Sequence, residues 1–429
     1  MKIKKKLNFI LLLLTILVLQ SCSKSDNTNR TIEIKFWGMG AEGEYVQKLL
    51  PKFYKQYPNV KVNVQSIPWT AAQEKLISAY ASDNLPDLFQ LGNTWIPQFV
   101  SLDAIQSLDT FINKSADIKA ENYFEGIWET NIIDNKIYGL PWYIDTRIVF
   151  YRTDILAKAG YEIFPKSWDE LYKASQKIKA NYNDEDKYAI YLPTNEWASF
   201  IIFALQNKSS ILQNNNSYGA FSQPEFKEAF EYLIAYHKEG LAPIGISQVT
   251  NVYQAFAEEY FSMYISGPWN VPEFKKWMKG ELADKWNTAP LPAKHGSHPG
   301  TSLAGGASLV INKNSEHKEA VWNFMEFLSR EDIQLEFYSL INDLPALRVA
   351  WEDSLLASDK YMQAFFKQFH NVTATPKITE WEQIAFSKVQ QYAEMAVRSS
   401  ESIDDILLDL DKDVNKILEK RRWLLSKNN

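Results

Sequence analysis

The chain has 429 residues, of which 46% are hydrophobic and 23% are charged, and its formal net charge is −6. This length and apolar content suffice for two or three domains, and the mildly acidic balance argues against nucleic acid as a partner. Cys22 is the only cysteine, which excludes intramolecular disulfides, thiolate metal sites and thiol nucleophiles from the body of the chain.

Residues 1–21 have the layout of a secretory signal peptide. Four lysines within the first six residues precede an apolar stretch, residues 7–19, that is too short for a comfortable membrane span. The stretch ends in Leu19-Gln20-Ser21-Cys22, which resembles the lipobox of bacterial lipoproteins, whose cysteine is lipidated and becomes the mature N-terminus. The alternative, a buried apolar cysteine, fits this position less well.

Residues 22–30 are predicted to form a flexible tether, because 23–30 contain no apolar side chain. Removal of residues 1–21, which carry four lysines and no acid, changes the formal net charge to −10.

Residues 32–91 alternate between strand and helix patterns. Strands are predicted at 32–36, 60–64 and 88–91, and helices between them, the first with one apolar stripe from Tyr45 to Tyr54. Such an alternation predicts an α/β fold with a parallel sheet that is covered on both faces. Ligands gather beyond the carboxyl ends of such strands, here the loops 37–39 and 92–95.

A second α/β unit follows. The run Tyr138–Arg152 joins a Gly-Leu-Pro turn, an aromatic pair and a lone acid to an apolar strand, as expected where a chain crosses between domains. Ser167 and Glu170 have the spacing of a capping box, a helix is predicted over 224–237, and a strand over 261–265. Residues 303–311 form another apolar run, and the chain from Trp351 onward is predicted to be helical.

Several segments together resemble the family 1 extracellular solute-binding proteins, the capture subunits of ABC importers. The matching segments are the first strand with Trp37, Leu85-Pro86-Asp87-Leu88, Tyr138–Arg152, Leu156 to Gly160, Ser167-Trp168-Asp169-Glu170-Leu171, Gly267-Pro268-Trp269-Asn270 and Ala304-Gly305-Gly306. Each is weak alone, but their order over about 350 residues is specific.

The resemblance implies two α/β lobes joined by a hinge, with the chain passing between them more than once. By analogy with maltose-binding protein, a member of that family, lobe 1 is expected to take 31–140 and 303–341, and lobe 2 to take 141–302 and 342–429. The hinge is expected near 139–145 and 300–306, with backbone changes at Gly139, Gly300, Gly305 and Gly306.

The positions of the 14 tryptophans indicate the ligand class. Half are predicted to lie in helices, where packing explains them; the others, at strand ends or in loops, are Trp37, Trp69, Trp95, Trp142, Trp197, Trp269 and Trp381. A sugar ring has an apolar C–H face that stacks on an indole, while its hydroxyls need polar partners at the edge. Acidic, amide and arginine side chains in the same loops supply such partners.

We therefore predict a monomeric, exported, membrane-anchored lipoprotein that captures a carbohydrate for an ABC permease, with no enzyme activity, cofactor or metal. The predicted ligand-binding residues are Trp37, Glu42, Asn93, Trp95, Trp142, Tyr143, Asp145, Trp197, Trp269, Asn270, Gly305, Gly306, Arg348 and Trp381. Two alternatives stay open: the same receptor role for another polar solute, such as a glycerophosphodiester, and a surface glycoside hydrolase, which would also use paired carboxylates.

Overall fold

The computed structural model describes residues 31–245, 249–294 and 297–427. The predicted signal peptide, the predicted tether and Cys22, the predicted lipidation site, lie outside these ranges. The strands are β1 (Ile32–Met39), β2 (Val60–Ile67), β3 (Leu88–Gly92), β4 (Ile132–Ile133), β5 (Lys136–Ile137), β6 (Leu140–Asp145), β7 (Ile148–Arg152), β8 (Tyr188–Tyr191), β9 (Leu212–Gln213), β10 (Tyr218–Gly219), β11 (Phe261–Ser266), β12 (Trp286–Ala289), β13 (Ser302–Leu303), β14 (Gly305–Ile311), β15 (Leu344–Pro345) and β16 (Val372–Thr373).

The α-helices are α1 (Gly40–Tyr45), α2 (Leu50–Gln56), α3 (Trp69–Ala81), α4 (Ile96–Ser101), α5 (Asp109–Ile112), α6 (Glu125–Glu129), α7 (Thr153–Lys158), α8 (Trp168–Asn181), α9 (Trp197–Gln206), α10 (Pro224–Lys238), α11 (Val252–Ala257), α12 (Asn270–Trp277), α13 (Lys318–Leu328), α14 (Glu331–Ile341), α15 (Ser354–Ala357), α16 (Gln363–Phe369), α17 (Trp381–Gln383), α18 (Gln390–Arg398), α19 (Ile403–Ile417) and α20 (Glu419–Lys427). Within the described ranges, none of the helices combines the length and the apolarity that crossing a bilayer requires.

Lobe 1 is built on a six-stranded sheet with the order β15-β6-β14-β3-β1-β2. Strand β1 runs parallel to β2 and β3, as the strand–helix alternation predicts. Strand β14 returns from late in the chain and lies antiparallel to both β3 and β6. All five residues of β3 are buried, as expected for a strand covered on both faces.

The helix predicted through Tyr45–Tyr54 is divided in the structure. Helix α1 ends at Tyr45, a 3₁₀ turn covers Val46–Lys48, and α2 begins at Leu50. Pro51 lies in the first turn of α2, where a backbone N–H would have no helical partner, so its missing N–H loses no hydrogen bond. In the middle of a helix, proline removes a hydrogen bond and clashes with the preceding turn, so one unbroken helix could not run through it.

Lobe 2 is built on a four-stranded sheet with the order β12-β7-β11-β8, in which β11 is antiparallel to β7 and parallel to β8. Helix α8 begins at the predicted capping box: Ser167 Oγ accepts the Glu170 N–H at 3.2 Å. The Glu170 carboxylate reaches one residue further back than the motif predicts, and accepts the Lys166 N–H at 2.8 Å.

The two lobes are connected at adjacent crossings. Only Thr146 and Arg147 separate β6 from β7, and only Ala304 separates β13 from β14. The crossings are tied together, because Thr146 Oγ1 donates to the Leu303 carbonyl and Ser302 Oγ donates to the Arg147 carbonyl, each at 2.8 Å. A later crossing follows β15, which pairs with β6.

These crossings differ from the sequence-based boundaries by a few residues. Strand β6 belongs to the lobe 1 sheet, so the chain leaves lobe 1 after Asp145 and not at 140–141. Gly139 lies against Asn131 and Ser308 of lobe 1, and Gly300 lies against Pro292 of lobe 2. Neither of these glycines lies at a crossing, whereas Gly305 does.

Candidate functional site

A cavity of about 650 Å³ lies between the lobes beside the crossings. Its aromatic side chains are Trp69, Trp95 and Tyr143 from lobe 1 and Trp197, Trp269 and Phe386 from lobe 2. Its polar side chains are Glu42, Asn93, Thr94, Asp145, Arg147, Asp343, Thr375 and Glu382. The carboxyl end of β3, at Gly92, opens into it, as expected for a parallel sheet.

Glu42 is held at the lobe 1 wall by three donors that meet at its Oε1. These are the Tyr143 hydroxyl at 2.7 Å, Trp69 Nε1 at 3.1 Å and Gln90 Nε2 at 3.3 Å. Burial raises the pKa of the Glu42 carboxyl, and its hydrogen bonds partly oppose that shift. The carboxylate therefore fixes the positions of two aromatic rings that line the cavity.

Asp145, Arg147 and Trp269 form a second group, at the first crossing. Arg147 Nη1 lies 2.8 Å from Asp145 Oδ1, and the guanidinium carbon lies 4.7 Å from the centre of the Trp269 ring. Burial raises the pKa of Asp145, and Arg147 and the Gly306 N–H partly offset it. Trp269 is 48% exposed although it packs on its neighbours, so much of its ring is available to a solute.

Two aromatic pairs, one from each lobe, also line the cavity. On lobe 1, Trp69 and Trp95 are arranged edge to face with ring centres 5.7 Å apart. On lobe 2, Trp197 packs edge to face on Phe386 at 5.6 Å, and Phe386 is 55% exposed. Burial raises the pKa of Glu382 beside them, with Thr94 and Trp95 acting in the opposite direction.

The cavity brings together many of the residues that the sequence singled out. They are Glu42, Asn93, Trp95, Tyr143, Asp145, Trp197, Trp269, Gly305 and Gly306. The Asn93 side chain is buried, and its amide donates to the Ala304 carbonyl at 3.0 Å, which links the end of β3 to the second crossing.

Two of the predicted tryptophans, Trp142 and Trp381, pack elsewhere. Trp142 alternates with Tyr143 and Asp145 along β6, so its ring points to the opposite face of the sheet. There it stacks on Phe337 at 4.9 Å and is 2% exposed. Trp381 is fully buried in the core of lobe 2.

Trp37, Asn270 and Arg348 also lie outside the cavity lining. Trp37 is inside β1, with the Lys75 ammonium 5.1 Å from its ring, and not in the loop that follows. The Asn270 amide is buried and bonded to Ser266 Oγ at 2.7 Å. Arg348 lines a separate groove beside Phe369.

Sequence reasoning did not select several cavity residues. Trp69 was recognised as a loop tryptophan but not as a ligand-binding residue; it is the first residue of α3, after Pro68. Asp343 follows Asn342, which ends α14 in the left-handed region with φ 64°. A polar residue between a helix end and a sheet strand is a signal that could have identified it.

The bacterial extracellular solute-binding protein family matches residues 38–335. The chain belongs to that family. Its fold is similar to that of the sugar-binding protein MalE from Xanthomonas citri, with a TM-score of 0.89 and 42% identity, covering 92% of this chain and 99% of that one. It is also 25% identical to the arabinooligosaccharide-binding protein of Bacillus subtilis, over 83% of each chain, and 23% identical to the galactooligosaccharide-binding protein of that organism, over 90% of each.

For a two-lobed solute-binding protein, a cavity at the junction of the lobes is where a solute is expected, since binding sites occur preferentially between domains. The family and the relatives named above are binding proteins and not enzymes.

Proposed function

We propose that this chain captures a carbohydrate in the cavity between its lobes and delivers it to the membrane subunits of an ABC importer. The observation that carries the proposal is the composition of that cavity: four tryptophans and two further aromatic rings surround carboxylates, an amide and an arginine. Indoles stack on the apolar faces of sugar rings, and planar polar groups bind the hydroxyls.

The ligands of the relatives support the same ligand class. The three relatives bind a sugar, an arabinooligosaccharide and a galactooligosaccharide, and this chain covers 99%, 83% and 90% of their lengths, respectively. Because these ligands differ among themselves, they support a saccharide and do not identify one. A cavity of about 650 Å³ falls in the ordinary range of small-ligand sites, roughly 300–1,000 Å³.

The charge of the cavity disfavours the phosphodiester alternative. Among the described lining residues, Arg147 is the one basic side chain, and it is already paired with Asp145. Four carboxyl groups share the same space. A phosphate would lack free cationic partners and would meet like charge.

A thermal-shift screen tests the proposed function. The panel contains maltose, maltotriose, trehalose, an arabinooligosaccharide, a galactooligosaccharide and a glycerophosphodiester. We expect at least one saccharide to raise the melting temperature in a concentration-dependent manner, since ligand binding to the native state stabilises it, and chromatography to recover that saccharide unchanged. No shift with any saccharide, a shift with the phosphodiester alone, or conversion of the saccharide to products would contradict the proposal.

The proposal includes export and a lipid anchor at Cys22. This rests on the apolar stretch before Leu19-Gln20-Ser21-Cys22 and on the membership of an extracellular family. The lipid would keep a monomeric receptor close to the permease, and the polar tether would let it turn.

Replacement of Cys22 tests the anchor. We expect Cys22→Ser to leave the protein unacylated, and either released from the membrane or retained with its signal peptide uncleaved. Mass spectrometry and membrane fractionation of wild type and variant measure this. A Cys22→Ser protein that is still processed, acylated and membrane-bound would rule out the proposed lipidation site.

A further inference from the structure

Among the carboxyl groups that line the cavity, Asp343 has the fewest hydrogen-bond donors and positive charges around it. It lies between α14 and β15 and lines the cavity. Its Oδ2 is buried and makes no hydrogen bond among the residues that the structure describes. In contrast, Glu42 receives three side-chain donors, and Asp145 has Arg147 and the Gly306 N–H.

A partly buried carboxyl with no donor or cation beside it is costly to ionise, so a donor in the solute would stabilise it. The ionisable groups around it come from several elements: Glu42 on α1, Tyr143 and Asp145 on β6, Arg147 at the first crossing and Glu382 on α17. Burial first, and then the charges of Glu42 and Asp145, raise the pKa of Asp343 well above its ordinary value. In the part of the chain that the structure describes, no donor or cation offsets these causes.

We infer that Asp343, in its ionised form, determines the charge selectivity of the cavity: it accepts a hydrogen bond from an uncharged or cationic solute and, with Glu42 and Asp145, excludes anionic solutes. The inference rests on the proposed function and narrows its substrate class. A solute hydroxyl or ammonium in the cavity can donate to the carboxyl of Asp343, which lines it. A solute carboxylate or phosphate at the same place would add a negative charge to a group of acids with one, already paired, cation.

Below the pKa of Asp343 in the free protein, a proton should leave when such a solute binds. A hydroxyl that donates to the carboxylate favours the ionised form of Asp343, so its pKa in the complex falls below its raised value in the free protein. Binding is therefore strongest above the pKa of the free protein and weakens as the pH falls below it. Calorimetry in buffers of different ionisation enthalpy measures the number of protons released.

The test uses maltobionamide and maltobionate, which differ in the charge of one end group, with the mature wild-type chain, Asp343→Asn and the control Asp117→Asn. Asp117 is exposed and does not line the cavity. Above the pKa of free Asp343, where its carboxyl is ionised, we expect wild type and Asp117→Asn to prefer the amide by about tenfold or more. Below that pKa, we expect both proteins to release a proton on binding maltose. We expect Asp343→Asn to reduce both the preference and the proton release. If maltose does not bind, the amide and acid of the saccharide found in the thermal-shift panel replace the pair.

Equal wild-type affinity for amide and acid, or unchanged selectivity and proton release in a folded Asp343→Asn protein, would overturn the inference but not the proposed function. If Asp343→Asn does not fold, the wild-type comparison alone decides. Failure of wild type to bind any uncharged saccharide would contradict the proposed function, and the inference with it.

Discussion

Trp269→Ala and Asp145→Ala are expected to weaken saccharide binding by about ten- to a hundredfold each. Hydrogen bonds to a charged group contribute roughly 1.5–3 kcal/mol, and tenfold in affinity corresponds to about 1.4 kcal/mol. Asp145 lies at the first crossing with its carboxylate in the cavity, and Trp269 presents a half-exposed indole there. Isothermal titration calorimetry with the saccharide identified in the panel measures both losses.

A matched control is Trp423→Ala, which removes an indole of similar exposure, 54%, from α20, away from the cavity. Binding by this variant should equal that of wild type. Trp269→Ala should also keep most of its ligand-free melting temperature, because the ring it removes is half exposed. Normal affinity in folded Trp269→Ala and Asp145→Ala proteins would mean that the solute binds elsewhere.

Gly306→Ala is expected to lower both stability and affinity substantially. Gly306 has a φ of +118°, and a Cβ there would lie 2.3 Å from the Tyr143 carbonyl oxygen and 2.7 Å from the Ile144 Cα. These are backbone atoms of β6, so β14 and β6 would have to separate beside the cavity. We expect a loss of several kcal/mol, by analogy with overpacking combined with a disfavoured φ, measured by urea unfolding and by calorimetry.

Gly160→Ala separates the two causes of this effect. Gly160 also has a positive φ, +87°, but a Cβ there would have no atom within 4 Å. The Gly160→Ala variant should therefore lose only about 1–2 kcal/mol of its free energy of unfolding, the cost of the backbone strain. Its saccharide affinity should be unchanged. Equal losses of stability and affinity in Gly306→Ala and Gly160→Ala would show that the close approach of β14 to β6 does not constrain the site.

Local patterns were sufficient to predict much of the fold. The alternation of strands and helices over 32–91 predicted the parallel arrangement of β2, β1 and β3, and the Ser167–Glu170 spacing predicted the start of α8. Residue-level breaks were harder to predict. Pro51 divides the first helix, and Trp286, assigned to a helix, begins β12. The tail is helical except for β16 and the segment before α17.

The cavity was less predictable because it depends on which face of an element a side chain occupies. The pair Trp142-Tyr143 illustrates this: neighbouring residues of β6 point to opposite faces, so Tyr143 lines the cavity and Trp142 packs in the core. Asp343 and Glu382 reach the cavity from segments that are distant in sequence from its other residues. The helix end before Asp343 is a local signal for a polar site, but it does not show which segments meet there.

The most direct test of the central claim, that a saccharide is captured between two lobes, is small-angle X-ray scattering with and without saturating saccharide. The crossings at Thr146–Arg147 and Ala304 are short and adjacent, an arrangement that suits rotation of one lobe against the other. A ligand that contacts both walls binds the closed form more tightly and so shifts the protein toward it. We predict a smaller radius of gyration with saccharide; an identical scattering profile at saturation would contradict capture by closure.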